Sequence, residues 1–197
     1  MTTLILASAS PRRAQLLTQL GVVFEQQSAD IDEHIHAGED PQDYVTRLAR
    51  EKAAQVQLAL GTDVAILAAD TSVVLDGIIL GKPVDHFDGL GTLARLSGRE
   101  HRVLTAVCVR RGEQVEEAVS DTKVKFVTLD RQQCEAYLAT DEPWDKAGSY
   151  GIQGLAGAFV DTIEGSYSGV VGLPLSQTWA LLQRIGVSTG LEPGSGD

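Results

Sequence analysis

Apolar residues fall into two patterns along the chain, short unbroken runs and longer stretches with helical spacing. Their alternation predicts an α/β fold built on a mixed sheet. Leu4-Ile5-Leu6-Ala7 is an unbroken run, the pattern of a strand buried on both faces. Ser10 offers an N-cap and Pro11 an N1 residue, so a helix from about Pro11 turns Leu16, Leu17 and Leu20 inward until Gly21 ends it. Val22 to Gln26 reads as a second strand. Asp40-Pro41 caps a long helix to about Leu60, with Tyr44, Leu48, Ala49 and Lys52 near one side. Val64 to Ala69 is another buried run, expected to end on Asp70-Thr71. Val73-Val74-Leu75 and Ile78-Ile79-Leu80 flank Asp76-Gly77, a strong hairpin signal.

Further along, a helix from about Asp85 to Leu96 stops near Gly98. Two long strands, about Arg102–Arg110 and Val115–Val127, join through Arg111-Gly112-Glu113. Asp130 caps a helix to about Ala139. Asp141 to Gly157 is glycine-rich and irregular, Ala158 to Ile163 is a strand, and Gly165 to Pro174 is a loop into a last helix ending near Ile185. Residues 1–187 are expected to form a single domain, and Ser188 to Asp197 a disordered tail. No internal repeat is present.

Composition narrows the class of function. With 197 residues, 43% hydrophobic and 22% charged, the chain has the profile of a folded globular protein. It carries 27 acidic against 16 basic residues, a net charge of −11, which argues against non-specific nucleic-acid binding. A local basic pocket for one small anion is still compatible with that balance. Cys108 and Cys134 lack CxxC spacing and read as core thiols of a reducing compartment. Met1 to Ser10 has neither the charged start nor the long apolar core of a signal peptide. Glycines, Pro174 and polar residues interrupt the longest uncharged run, Gly165 to Gln183. The expectation is a cytoplasmic protein without a membrane partner.

Four segments offer chemistry. In Ser8-Ala9-Ser10-Pro11-Arg12-Arg13 a helix N-terminus, two hydroxyls and two guanidinium groups make a cradle for a polyphosphate. Arginine in a first turn opposes the helix dipole, which favours a binding role over a plain capped helix. Asp70-Thr71, at the expected end of a buried strand, suits a metal ligand or general base, and equally a turn-forming Asp. Lys52, within Arg50-Glu51-Lys52, and Lys82, within Gly81-Lys82-Pro83, belong to a set of only five lysines. An exposed salt-bridged helix face is the ordinary account of Lys52. Gly77 to Lys82 is no P-loop, since the glycine spacing is one short and Pro83 replaces the Ser/Thr. In Asp145-Lys146-Ala147-Gly148-Ser149-Tyr150-Gly151-Ile152-Gln153-Gly154, glycine density lets backbone approach a ligand, and Gln153 has the donor and acceptor to read a base edge. A plain flexible loop has the same composition. His34 and His36, beside Asp32 and Glu33, read as a solvated acidic loop.

Taken in order, these blocks, with Ala69-Asp70-Thr71, Gly165-Ser166-Tyr167 and Val170-Val171-Gly172-Leu173-Pro174, resemble the Maf family of nucleoside triphosphate pyrophosphatases over roughly residues 3 to 186. The resemblance implies an inosine triphosphate pyrophosphatase-like α/β fold, an elongated mixed sheet flanked by helices with two lobes around a cleft. It implies hydrolysis of a nucleoside triphosphate to monophosphate and diphosphate with a divalent cation, Mg²⁺ or Mn²⁺. Asp70 is then the proton acceptor. Arg12, Thr71 and Gln153 match specificity positions of the dTTP and UTP branch, and modified pyrimidine nucleotides fall within that reading. Ser8, Arg13, Lys52 and Lys82 match phosphate- and substrate-binding positions. Glu33 is assigned as a metal ligand alongside Asp70. The resemblance is compatible with a homodimer. The rival readings are a 7-methyl-GTP pyrophosphatase of the same family and a nucleotide-binding regulator of septum formation or cell division.

Overall fold

A computed structural model describes residues 4–191. Its sheet begins with β1 (Leu4–Leu6), flanked in parallel by β2 (Phe24–Gln26) and β3 (Ala65–Leu75). β3 turns back at Asp76-Gly77 into β4 (Ile78–Leu80), and both turn residues have positive φ as the hairpin signal requires. The long strands β5 (Glu100–Arg111) and β6 (Gln114–Phe126) and the short β7 (Val160–Glu164) continue antiparallel to their neighbours. The order is β2-β1-β3-β5-β6-β7, with β4 sharing the β1 edge of β3. This is the mixed, helix-flanked sheet that the residue pattern predicts.

Helices cover both faces. The first, α1 (Pro11–Gln19), starts at Ser10, whose hydroxyl accepts from the Arg13 N–H, and Gly21 follows it with φ 69°. The longest, α2 (Pro41–Leu60), is capped by Asp40 and buries Val45, Leu48, Ala49, Ala53 and Val56 against Ile5, Ile66, Ala68 and Leu104. On the opposite face Leu16, Leu17 and Leu20 pack with Leu4, Leu6, Leu67 and α6 (Leu175–Ile185). A third cluster joins α3 (His86–Leu96) and α4 (Arg131–Leu138) to the far ends of β3, β5 and β6, around Phe126. Successive β3 residues alternate between the two faces, as a strand buried on both sides must.

Three sequence expectations change. β3 does not end at Asp70-Thr71 but runs on to Leu75, so Asp70 lies in mid-strand, paired with Ala106. Strand length here is set by β5, which supplies an unbroken ladder from Ile66 to Val74. The expected loop Gly165–Pro174 contains a short helix, α5 (Tyr167–Val171). The Ser166 hydroxyl accepts the Gly169 N–H at 3.0 Å and nucleates that turn, while Pro174 ends the segment. The tail expected from Ser188 is held at its start: Gly190 N–H donates to Leu20 O at 2.7 Å, and Thr189 is buried. A Cβ at Gly21 would come within 2.7 Å of Gly190, so this contact needs glycine. The rest of the expected tail, residues 192–197, lies outside the described residues.

Candidate active site

The cleft arises from a mismatch of strand lengths. β1 pairs with β3 at Ala65–Leu67 and β4 pairs with the same edge at Val73–Leu75, which leaves residues 68–72 without a ladder partner there. The opening, about 390 Å³, is walled by the start of α1, α2, Gly81-Lys82 and the segment from Asp145 to Gly154. Asp70 and Thr71 lie at its floor. Being adjacent on a strand, they project to opposite faces, Asp70 toward α2 and Thr71 toward α1 and α5.

Asp70 is 8% exposed and accepts from Lys52 Nζ at 2.6 Å. The same ammonium lies 2.7 Å from Glu33, so one cation holds two carboxylates. Lys52 is on the inward side of α2, one turn beyond Leu48 and two beyond Tyr44, and its side chain is 12% exposed. The exposed helix face that ordinarily explains such a lysine is therefore not its setting. Burial pushes the Asp70 carboxyl above its ordinary pKa, with Lys52 and Arg13 pulling back. On Glu33 burial also acts upward, but the hydrogen bond and charge of Lys52, with Lys82 and Arg13, leave it lowered.

Arg13 is less free than a plain phosphate ligand would be. Its Nε donates to Gly172 O at 2.9 Å, Nη1 to Ser8 Oγ at 3.3 Å and Nη2 to Thr71 Oγ1 at 3.2 Å. The Thr71 hydroxyl lies 2.9 Å from Thr105 Oγ1, which donates to Gly169 O at 2.8 Å. Burial lowers the Arg13 pKa, with Asp70 opposing it. Ser8 thus sits behind Arg13 and outside the cleft lining. Arg12, Lys82 and Gln153 face the cleft, Lys82 and Gln153 from exposed positions.

Residues that sequence reasoning did not single out complete the walls. Tyr44 donates its hydroxyl to Glu33 O at 2.9 Å and fixes the acidic loop beside Lys52. Asp145 binds Arg12 at 3.2 Å and Lys146 at 2.6 Å across the mouth. The signal for Tyr44 was its helical spacing with Lys52; Asp145 and Lys146 were legible only as part of the glycine-rich block. His34 and His36 are turned to the loop's own groups, His34 to Asp32 and the His36 N–H to Glu39 at 3.0 Å.

The cleft is lined by five basic side chains and three acidic ones in a protein of net charge −11. That local reversal of sign suits a polyanion. Glu33 and Asp70 are hard oxygen donors of the kind that hold Mg²⁺ or Mn²⁺ together with substrate phosphates, and the Lys52 ammonium between them shows that both reach one cationic group. Among the described residues no group of three or more His, Cys, Asp or Glu is placed to hold a metal alone. Nor is any described helix long and apolar enough to cross a membrane.

Comparison with known proteins finds relatives along the whole chain. A protein from Methylobacillus flagellatus named dTTP/UTP pyrophosphatase is 50% identical, covering 100% of this chain and 98% of its own. One of the same name from Shewanella oneidensis is 52% identical over 93% of this chain and 98% of its own. A solved nucleoside-triphosphatase, the dITP/XTP pyrophosphatase of Mycobacterium abscessus, overlaps more loosely, with a TM-score of 0.41 and 17% identity over 65% of this chain and 76% of that one. The family model described as Maf-like protein matches residues 3–185, and the chain belongs to that family.

Proposed function

We propose that this chain is a nucleoside triphosphate pyrophosphatase acting on dTTP and UTP, the activity in the names of its relatives at about 50% identity. The observation that carries the mechanism is Asp70, a carboxylate buried at the floor of a basic cleft and held by Lys52 at 2.6 Å. Water attacks the α-phosphorus, a new P–O bond forms, and the α–β bridging P–O bond breaks. Its electron pair leaves with pyrophosphate. Asp70 takes the proton from the attacking water at a carboxylate oxygen. The upward push of burial on its pKa makes it a better base than a solvated Asp.

Lys52 keeps Asp70 ionised and places positive charge beside the reacting phosphate. Arg12 and Lys82 line the cleft and supply positive charge to the phosphates. Arg13, tied to Ser8, Thr71 and Gly172, sets the shape of the wall that the nucleotide meets. Thr71 and Gln153, with Arg12, read the nucleoside, and a side-chain amide can pair with a uracil or thymine edge. Glu33 and Asp70 would hold a divalent cation, which when bound neutralises phosphate charge and acidifies water. The cytoplasm, where these nucleotides are made, is the compartment this reading implies.

The test is pyrophosphate release from dTTP, UTP, CTP, GTP and 7-methyl-GTP with Mg²⁺ or Mn²⁺, wild type beside Asp70→Asn. Preference for dTTP and UTP, lost in the variant while nucleotide binding persists, is the expected result. Activity confined to 7-methyl-GTP overturns the substrate assignment, and near-normal turnover in Asp70→Asn overturns the base.

A further inference from the structure

Two side chains close to the cleft, Tyr137 and Glu142, take no part in the chemistry above, yet they are bonded to the loop that carries Gln153. Glu142 Oε2 accepts the Leu155 N–H at 2.8 Å, and Oε1 accepts the Ala156 N–H at 3.4 Å. The same Oε1 accepts the Tyr137 hydroxyl at 2.9 Å, and the Tyr137 oxygen in turn accepts the Gly151 N–H at 3.2 Å. Gly151 lies two residues before Gln153 and Leu155 two after it. Both ends of the loop therefore terminate on one Tyr–Glu pair.

The pair itself is firmly placed. Tyr137 is 3% exposed on α4, with its ring edge-to-face against Phe159 at 5.2 Å. The Glu142 carbonyl oxygen accepts from Lys146 Nζ. At Gly154 the loop backbone lies directly against the carboxylate. A Cβ at Gly154 would lie 2.2 Å from Glu142 Oε2, and one at Gly151 2.7 Å from Lys146 Cε. Glycine at 154 is what allows the carboxylate to reach the N–H groups, whereas the close approach at Gly151 is to the flexible end of Lys146.

We propose that Tyr137 and Glu142 are positioning residues that clamp the Gly151–Ala156 loop and, through it, set the nucleobase selectivity exerted by Gln153. This rests on the assignment of Gln153 as a base reader. Gln153 is exposed on the loop, between the partly buried Ile152 and the fully buried Ala156. Reading a base edge through an amide requires that amide to be held within a fraction of an ångström. Hydrogen bonds from backbone N–H to a carboxylate are charge-assisted and directional, so they supply that restraint where glycines supply none.

The test compares Glu142→Gln, Tyr137→Phe and Gln153→Ala with wild type. Pyrophosphate release from dTTP, UTP and CTP is measured as kcat and KM, and amide hydrogen exchange is followed across the chain. Glu142→Gln keeps the shape but removes one acceptor oxygen. Its expected effect is a KM for dTTP and UTP raised about tenfold, a narrowed preference over CTP, and kcat within about twofold. Faster exchange should be confined to residues 151–156. The double variant Tyr137→Phe/Glu142→Gln should be little worse than Glu142→Gln, because both act on one loop. If Gln153→Ala loses selectivity and Glu142→Gln does not, the clamp is overturned. If Gln153→Ala itself leaves selectivity unchanged, the base-reading assignment fails and the proposal falls with it. A uniform loss across nucleotides with exchange rising everywhere would show a fold defect and also refute it. Should Glu142→Gln not fold, Tyr137→Phe, which keeps the ring packing, carries the same comparison.

Discussion

Replacing Lys52 by methionine tests the arrangement at the floor of the cleft. Methionine keeps much of the side chain's length and removes only the ammonium that Asp70 and Glu33 share at 2.6 and 2.7 Å. Two charges 2.6 Å apart attract by about 6 kcal/mol at an effective dielectric of 20. Desolvation offsets part of this, and breaking one partner of a buried pair costs about 3–5 kcal/mol in stability, equivalent to a Tm lower by about 10 °C for a chain of this size. The sign with pH follows from Asp70. Burial already raises its folded pKa above the unfolded value, so protonation favours the folded state and stability is lost as pH rises through the folded pKa. Without Lys52 that pKa rises further and the window of loss extends upward. Urea unfolding of Lys52→Met at a series of pH values should therefore show a deficit that is large at neutral pH and shrinks in acid. In kcat/KM the acidic limb should move to higher pH. A deficit constant with pH and an unmoved limb would refute the reasoning, because Asp70 would then not be a buried carboxylate dependent on that ammonium.

Other consequences can be measured on the same protein. His101 shares a 2.8 Å hydrogen bond with Tyr150 and is 2% exposed, and burial holds its pKa at about 4. The unfolded chain takes up the proton first, so stability falls by about 3 kcal/mol as pH drops from 6.5 toward 4; His101→Gln should flatten that limb in urea titrations. Thr71→Val breaks the relay from Arg13 through Thr71 and Thr105 to Gly169 O, leaving polar groups unpaired, and should cost about 1–3 kcal/mol and raise KM. Both cysteines are buried, and burial pushes the Cys108 thiol up to about 12 and raises Cys134 as well. A thiol-specific disulfide reagent should therefore react with them only as fast as the protein opens, and denaturant should release both.

What the sequence made legible were features decided within a few residues. The Ser10-Pro11 and Asp40-Pro41 helix starts, the Asp130 cap and the Asp76-Gly77 hairpin all depend on local hydrogen bonds and local φ, and each is found where expected. The reach of β3 past Asp70 was not legible, because a strand continues as long as a neighbour offers a ladder, and the residues of β5 that pair with it lie far along the chain, Val74 with Arg102 and Ile66 with Arg110. The same holds for Lys52. Its spacing with Tyr44, Leu48 and Ala49 indicates an inward side of α2, but the triplet Arg50-Glu51-Lys52 reads as a solvated face. Only the packing of α2 on β3 brings its ammonium to Asp70.

The cleft itself follows from an omission in the sheet rather than from any motif. β1 is three residues long and β4 is three residues long, and both lie along the eleven residues of β3. Had either been longer, the edge at residues 68–72 would be paired and the opening beside Asp70 would be narrowed. The short strands are short for visible reasons. Ser8 and Ser10 turn the chain into α1 immediately after Ala7, and Gly81-Lys82-Pro83 ends β4, since proline cannot donate to the ladder. The residues read as ligand-binding motifs are therefore also the residues that stop the strands. The serines, Lys82 and the glycine beside it create the opening and line its rim or brace it from behind, so a substitution such as Pro83→Val that lets β4 extend is expected to close the cleft and abolish nucleotide binding, measured by calorimetric titration, with the fold retained.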